Sequence, residues 1–295
     1  MSIATRSRRI ATHRVAPYLW LLPAVAIVAF STVYPVVYSV ETSLWQTQVF
    51  ERVEFLGLGH YVSLLTDPTF YATLYRSAFF TLVGVAVTFV LGFTLALLLR
   101  RKTRLNALYR TLILIPWVTN EIVFALMWLW MLDPQLSPIF YWMSELGLPT
   151  VNLLGSEQWA LLTLTLINGV RAVGFSLVMI LAGLTAIPKE LEEAAAIDGS
   201  NSWHRMRYII LPLLKPVSVV IVIVLTISFI NIIGFVLIMT GGGPADATEL
   251  LSVRLYKQGF VYFNIGLASA LTVIMLTINL VLAWIYKKSM GADED

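Results

Sequence analysis

Six long, predominantly apolar stretches constrain the fold of this 295-residue chain more than any other feature. They cover roughly residues 16–40, 78–99, 109–132, 159–184, 217–239 and 264–286. About 20 apolar residues in an α-helix cross a hydrocarbon core about 30 Å thick, and backbone groups in lipid must be paired within the chain. The stretches are continuous rather than alternating, which argues against the strands of a membrane barrel. We therefore expect an all-α membrane protein with six transmembrane helices in a single domain, residues 1–295.

The composition supports a membrane location. The chain is 58% hydrophobic and only 13% charged, whereas soluble domains are about 45–50% apolar and about 25% charged. So little charge cannot cover a water-facing surface of this size, which predicts a multi-pass protein of the cell (cytoplasmic) membrane. The absence of cysteine excludes disulfides and thiol catalysis. The net charge of +3 reflects membrane topology rather than nucleic-acid binding.

The distribution of Lys and Arg predicts the orientation. Of the 20 basic residues, fifteen lie in the N-terminal segment, the connections 100–110 and 185–216, and the C-terminal tail. Four lie in the other connections, and Arg171 lies inside the fourth apolar stretch. Because cytoplasmic connections carry an excess of Lys and Arg, both termini are expected to face the cytoplasm. The connection 133–157 contains acidic residues but no basic ones, which fits the outer side.

The connection over residues 188–216 carries the local signals of two short helices. Pro188 suits a first helical turn, and three alanines at 194–196 favour the helix. Gly199 can adopt the left-handed conformation that ends a helix, and the polar residues 200–202 can cap a second one. We expect a helix–turn–helix on the cytoplasmic face. The alternative is a helical linker that lies on anionic lipid with its arginines at the headgroups.

The spacing of residues within this connection matches a family signature. Glu193-Ala194-Ala195 is followed by Gly199 six residues after the glutamate, and then by Ile209 and Leu211-Pro212. This pattern resembles the EAA signature of ABC-importer permeases, and Asp198, Leu213 and Pro216 match its carbohydrate-importer version. The resemblance implies that residues 188–210 form a coupling elbow that docks on a cytoplasmic ATPase subunit. The coupling residues would be Glu193, Ala194, Ala195, Asp198, Gly199, Met206, Leu211 and Pro212, with Met206 filling the pocket that an aromatic residue would use.

The resemblance extends over nearly the whole chain. Met239-Thr240-Gly241-Gly242-Gly243-Pro244 resembles the outer loop of the first permease in maltose- and glycerol-3-phosphate-type importers. It implies the type I importer permease fold, a heterodimer with a sister permease, two cytoplasmic ATPase subunits and an extracytoplasmic solute-binding protein. It also implies that ATP and Mg are bound by the ATPase subunits, with no cofactor in this chain. Contact with the binding protein is expected at Gly241, Gly242, Gly243 and Pro244.

Polar residues interrupt three of the apolar stretches, namely Asn120, Glu121, Asn168, Arg171, Ser228 and Asn231. Charges inside a membrane are costly and usually face a protein interior or a water path. These residues can form a translocation path that binds substrate hydroxyls, or they can be hydrogen-bonding groups that join neighbouring helices. Glu121 and Arg171 fall at similar depths on consecutive antiparallel spans, so we expect them to pair, directly or through water. Pro116 predicts a kink in the third span.

The sequence lacks the motifs of an enzyme. It contains no phosphate-binding Gly-rich loop followed by Lys-Ser or Lys-Thr, no nucleophile elbow and no metal-ligand cluster. The expected function is therefore a permease subunit of a binding-protein-dependent importer for a sugar or related polyol phosphate, with ATP hydrolysed by partner subunits. The alternatives are an ABC permease for a non-sugar solute, an ion-coupled secondary transporter and a membrane-embedded enzyme. Six spans without visible inverted repeats are few for a secondary transporter, and no catalytic constellation supports an enzyme.

Overall fold

The computed structural model describes residues 4–101, 103–147 and 152–291. The chain divides into two compact units. The first comprises Met1–Leu64 and Gln258–Ile274, and the second comprises Leu65–Lys257 and Met275–Asp295. Helix α13 (Ile265–Gly291) contributes to both units.

The first unit contains a long helix followed by a small β-hairpin. Helix α1 spans Ala4–Thr42, and its most apolar 18-residue window has no buried side chain. Strands β1 (Trp45–Gln48) and β2 (Glu51–Phe55) pair in antiparallel fashion. The hairpin is a small addition to the mostly helical fold that the sequence predicts. It lies outside the apolar stretches, in a short segment where Trp, Thr, Val and Phe, which favour strands, alternate with polar residues.

Close contacts join the hairpin to the start of α13 within this unit. The Gly266 N–H donates to the Thr47 hydroxyl oxygen at 2.8 Å, and a Cβ atom at Gly266 would lie 2.3 Å from the carbonyl oxygen of Trp45. The Nε2 atom of His60, a buried residue of α2 (Gly59–Thr66), hydrogen-bonds the same carbonyl at 3.1 Å. His60 therefore fixes the hairpin.

Most of the helices lie in the second unit. They are α3 (Pro68–Leu98), α4 (Arg104–Val118), α5 (Glu121–Met131), α6 (Pro138–Glu145), α7 (Ala160–Ala186), α8 (Lys189–Ile197), α9 (Ser202–Arg205), α10 (Leu211–Ile230), α11 (Gly234–Met239) and α12 (Leu251–Tyr256). Two short π-helical segments cover Met206–Ile210 and Lys257–Val261.

The core of the second unit forms where α3, α7 and α10 pack together. Small residues let membrane helices approach each other closely. A Cβ atom at Gly84 of α3 would lie 2.1 Å from the ring of Phe229 on α10. The Thr88 hydroxyl of α3 donates to the Gly169 carbonyl of α7 at 3.0 Å. Close backbone approach and a buried hydrogen bond thus fix α3 against both neighbours.

Five helices among the described residues are long and apolar enough to cross a membrane. They cover Trp20–Thr42, Pro68–Leu98, Ala160–Ala186, Ser202–Ile230 and Ile265–Tyr286. Helices α4 and α5 make a sixth span if they are counted as one, although they are bent by 98° at their junction.

Two of the predicted spans are therefore interrupted. The single helix expected over 109–132 is replaced by α4 and α5, with an extended backbone at Thr119. Pro116 lies just before this break and has no N–H to continue the helical ladder. The helix expected over 217–239 stops at Ile230 and resumes at Gly234. Hydropathy alone does not indicate these breaks, because the residues on both sides of each are apolar.

Candidate functional site

The elbow predicted to couple to an ATPase begins with helix α8. Pro188 stands at its N-cap, and Glu190 and Glu192 in the first turn favour the positive end of the helix dipole. The helix ends at Ile197, with Asp198 at its C-cap. Gly199 follows with a φ of +78°, and the Ser200 N–H donates to the Ala195 carbonyl at 2.9 Å. A Cβ atom at Gly199 would meet nothing within 4 Å among the described residues, so glycine is favoured here by backbone conformation and not by crowding.

The second half of the elbow runs without interruption into the fifth span. The Asn201 side chain caps α9 by accepting from the His204 N–H at 2.8 Å. The π-helical segment Met206–Ile210 then continues directly into α10. The Leu211 N–H bonds the Met206 carbonyl five residues back, immediately before Pro212. A displacement of the elbow would therefore reach α10 through continuous helical backbone.

Most of the predicted coupling residues lie on the surface of the chain. Those that are exposed are Glu193, Ala194, Asp198, Gly199, Leu211 and Pro212. Ala195 is half-buried. Met206 is half-buried, and its side chain packs partly against this chain's own hydrophobic core.

An ion pair fixes the elbow helix to the end of α3. Both terminal nitrogens of the Arg100 guanidinium donate to the Glu192 carboxylate, Nη1 to Oε2 at 3.0 Å and Nη2 to Oε1. About 30% of the Arg100 side chain and 24% of the Glu192 side chain remain exposed. No local sequence pattern indicates this pair, because its members are 92 residues apart. The available signal was an arginine immediately after the second apolar stretch.

The break in the third span places Asn120 and Glu121 at the start of α5. The Asn120 side chain accepts from the Ile122 N–H at 2.9 Å, so Asn120 is the N-cap of this helix. Glu121 is the first residue of α5. Its Oε1 atom lies 2.6 Å from the position that a Cβ atom would occupy on Gly234, the first residue of α11. The two broken spans thus meet at their breaks.

Asn168 and Arg171 form a second polar pair, one turn apart on α7. The Arg171 Nε donates to Asn168 Oδ1 at 3.1 Å. Asn168 is only 1% exposed, and its Nδ2 atom has no hydrogen-bond partner among the residues that the structure describes. No ion pair within 4.0 Å joins Glu121 and Arg171 among the described residues. The direct form of the expected pairing is therefore not seen, and pairing through water stays a prediction.

The remaining predicted path residues lie on α10 or at its end. Ser228 is exposed. Asn231 is also exposed, and its Nδ2 donates to the Ile227 carbonyl of its own helix at 2.7 Å. No described hydrogen bond joins Ser228 or Asn231 to the Asn168–Arg171 pair. The described hydrogen bond of Asn231 is local to α10.

The loop over Gly241–Pro244, predicted to contact a binding protein, is tightly held. Gly241 and Gly242 have φ values of +63° and +93°. The Thr248 hydroxyl donates to the Gly243 carbonyl at 2.7 Å, and the Thr248 N–H donates to the Gly242 carbonyl at 3.1 Å. Gly242 is buried and Gly241 is exposed. The loop is thus closed by its own hydrogen bonds and presents one glycine at the surface.

Charged residues near α12 fix the segment that follows this loop. The Arg254 guanidinium contacts the Asp67 carboxylate at 2.5 Å and donates to the Thr69 hydroxyl at 3.0 Å. Asp67 also caps α3 by accepting from the Thr69 N–H at 2.9 Å. The side-chain hydrogen bonds from Thr69 and Arg254 lower the pKa of Asp67 to about 2. The Leu251 N–H donates to the Ser77 hydroxyl at 2.8 Å. Helix α12 is therefore hydrogen-bonded to α3 at two places, from Leu251 to Ser77 and from Arg254 to Thr69.

Comparison with known proteins identifies a family and named relatives. Residues 88–289 match the family of binding-protein-dependent transport system inner membrane components. The trehalose/maltose transport system permease protein MalF of Thermococcus litoralis is 32% identical over 276 residues, which cover 92% of this chain and 92% of that protein. The sn-glycerol-3-phosphate transport system permease protein UgpA of Agrobacterium fabrum is 30% identical over 272 residues, again 92% of each.

Solved structures share the fold. A chain of a bacterial ABC transporter involved in the import of the acidic polysaccharide alginate superposes with a TM-score of 0.84 at 18% identity, covering 98% of this chain and 100% of that one. A chain of the MetNI methionine ABC transporter superposes with a TM-score of 0.55 at 22% identity, covering 77% of this chain and 98% of that one. At these identities the likeness concerns the fold alone. The family match and the relatives at 30% identity or more show that this chain belongs to the binding-protein-dependent transport system inner membrane components.

Proposed function

We propose that this chain is one of two permease subunits of an importer for a sugar or related polyol phosphate, driven by two cytoplasmic ATPase subunits. The observation that carries the proposal is the elbow. Its first helix, α8, is exposed at Glu193 and Ala194 and is followed by a turn at the left-handed Gly199. Its second helix, α9, continues without a break into α10, so the elbow is suited to pass movement received from a partner to a membrane span. The names of the relatives support the solute class.

The proposed mechanism is alternating access. ATP binding closes the ATPase pair, and the elbow over 188–210 moves with it. Because α9 continues into α10, the span turns with the elbow and the path opens outward to a loaded binding protein. After hydrolysis the path reopens inward. Nucleotide and Mg are held by the ATPase subunits, so this chain contributes movement and a path but no hydrolytic group.

We place three partners on distinct surfaces. The sister permease would cover α1, whose most apolar window is unburied in the isolated chain. The binding protein would dock at the Gly241–Pro244 loop, and the ATPase subunits at the elbow. This assignment requires both termini and the elbow to face the cytoplasm and the glycine loop to face outward, as the distribution of Lys and Arg predicts.

Topology reporters test that arrangement. A reporter fused after Arg104 or Asp295 should report a cytoplasmic location, and one inserted near Ser137 or Ala245 an extracytoplasmic location. A cytoplasmic signal at Ala245 would contradict the assignment, because the glycine loop and the elbow must lie on opposite sides of the membrane.

The translocation path would be lined by the polar groups at the span breaks and on α7. Asn168 supports this role best, because its buried Nδ2 has no partner in the described part of the chain and can donate to a solute hydroxyl. Glu121 and Arg171 would supply a charge-assisted acceptor and donor. Asn120 already caps α5, so its contribution would be to stabilise the start of that helix at the break. Ser228 and Asn231 lie on the exposed surface of this chain, so they would line the path only after assembly with the sister subunit.

A transport assay distinguishes this proposal from the alternatives. The complex is reconstituted in liposomes with its binding protein, and uptake of radiolabelled maltose, trehalose and sn-glycerol 3-phosphate is measured with and without ATP on the elbow side. We expect uptake that requires ATP and binding protein and that persists when ionophores collapse the ion gradients. Uptake abolished by ionophores and independent of ATP would indicate an ion-coupled transporter. If ATP and the binding protein drive uptake of none of these three solutes, the result would indicate a non-sugar substrate.

A further inference from the structure

The elbow helix α8 has few attachments to the rest of the chain. None of its side chains is buried. The backbone joins it to α7 through the buried Ile187 at one end and to α9 through the turn at Gly199 at the other. A helix held only by its two ends can tilt without moving its neighbours. A side-chain attachment would therefore decide which other elements follow its movement.

The Arg100–Glu192 ion pair is such an attachment. Its two hydrogen bonds match the planar guanidinium to both oxygens of one carboxylate, a geometry that fixes orientation as well as distance. Both side chains are largely shielded from water, which limits screening by salt. Glu192 precedes the signature glutamate Glu193, which points to the surface. Adjacent glutamates thus face different environments.

The loop that carries Arg100 is in turn bonded to α4. The Arg110 guanidinium on α4 donates to the carbonyl oxygen of Leu99, at the end of α3, and to that of Arg101 at 3.3 Å. The Asn106 side chain of α4 also donates to the Arg101 carbonyl, at 2.8 Å. Residues 99–101 therefore receive hydrogen bonds from α4 and form an ion pair with α8. Helix α4 ends at the break before Glu121, where the proposed path begins.

We infer that the Arg100–Glu192 pair is a positioning contact that passes movement of the coupling elbow to the α3–α4 loop, and through α4 to the break at residues 119–120. This inference rests on the proposed function. It adds a second route, separate from the continuous backbone between α9 and α10. Hydrogen-bond and salt-bridge networks and rigid helices can carry energetic coupling between distant sites, and here each side-chain contact in the connection is a named hydrogen bond or ion pair.

The test is a charge exchange in the complete reconstituted complex. Arg100→Glu and Glu192→Arg each place two like charges together, and the double variant restores an ion pair with reversed polarity. ATPase activity is measured with and without loaded binding protein, at equal amounts of assembled complex. We expect each single variant to lower the stimulation by binding protein at least about fivefold, the lower end of typical allosteric coupling. We expect the double variant to recover most of it.

Two further variants separate positioning from simple stability. Arg101→Glu makes the same charge change on the neighbouring exposed residue and should leave stimulation unchanged. Arg100→Lys keeps the charge but cannot form the two parallel hydrogen bonds, and it should give an intermediate value. Single variants that keep full stimulation would overturn the inference, as would a loss that the double variant does not recover. If the wild-type complex itself shows no ATP-driven uptake, the proposed function fails instead.

Discussion

The carboxylate of Glu121 lies against Gly234, so the first residues of α5 and α11 meet where two membrane spans are broken. A side chain at residue 234 would occupy the place of the carboxylate oxygen, since an added Cβ atom would lie 2.6 Å from Oε1. Gly234 thus sets the position of a charge that we place in the translocation path. The Glu121–Gly234 contact therefore lies both in the proposed polar path and at the break in the fifth span.

Gly234→Ala should displace the Glu121 carboxylate and lower uptake, with little loss of stability. The displaced atom is at the end of a flexible side chain, so the cost is that of a rotamer change, about 0.5–1.5 kcal/mol. In a Glu121→Gln background the alanine should cause no further loss of uptake, because interacting residues give non-additive effects. Uptake and the melting temperature of the complex are the measurements. Gly169→Ala is the control, since its added Cβ would meet nothing closer than 3.4 Å. Fully additive losses would mean that Gly234 acts independently of Glu121.

Gly199→Val should weaken coupling through backbone strain. A left-handed residue other than glycine costs about 1–2 kcal/mol, and such energies shift an equilibrium by a factor of about 5–30. Asparagine tolerates this conformation, and the space around Gly199 is open within the chain. Gly199→Asn should therefore retain much more binding-protein-stimulated ATPase activity than Gly199→Val. Equal losses for both variants would show that a partner surface, not the backbone, demands the glycine.

The two adjacent glycines of the outer loop should respond differently to alanine. Both have positive φ, so both variants carry backbone strain. An added Cβ at Gly242 would also lie 3.0 Å from the Lys257 Nζ, whereas at Gly241 the nearest atom is 3.9 Å away. Lys257 is paired with Glu249 at 2.7 Å, which limits its freedom to move. We expect Gly242→Ala to reduce stimulation by the binding protein more than Gly241→Ala. The reverse order would indicate that the exposed Gly241 is itself in the docking interface.

The Asp67–Arg254 contact should make stability depend on pH in the acid range. The pKa of Asp67 is lowered to about 2, below the ordinary value of about 3.9. The stabilisation is therefore fully present above about pH 5 and is lost as pH falls through the folded-state pKa. The difference in melting temperature between wild type and Asp67→Asn should be constant near neutral pH and should shrink as pH approaches 2. A difference that does not change over this range would mean that the carboxylate charge contributes nothing.

The elbow could be anticipated from local signals. Gly199 at the helix end and Asn201 at the next cap act within one turn of the chain, so their roles follow from their own chemistry. The Arg254–Asp67 contact joins residues 187 apart, and no local pattern indicates it. The break at residues 119–120 escaped hydropathy analysis because both half-helices are apolar. Met206 was expected to fill the pocket that an aromatic residue would use, and its partial packing against this chain's core depends on distant residues that no local pattern indicates.

The central claim is that the elbow contacts an ATPase subunit, and cross-linking tests it directly. The chain has no cysteine, so Ala194→Cys introduces a unique thiol on the exposed face of α8. A thiol-to-amine cross-linker is applied to the active complex, and adducts are identified by mass spectrometry. Gln135→Cys, at an exposed residue of the connection predicted to face outward, is the matched control. We predict an adduct between residue 194 and the ATPase subunit and none from residue 135. An active complex that gives no ATPase adduct from residue 194, or gives one from residue 135, would contradict the account.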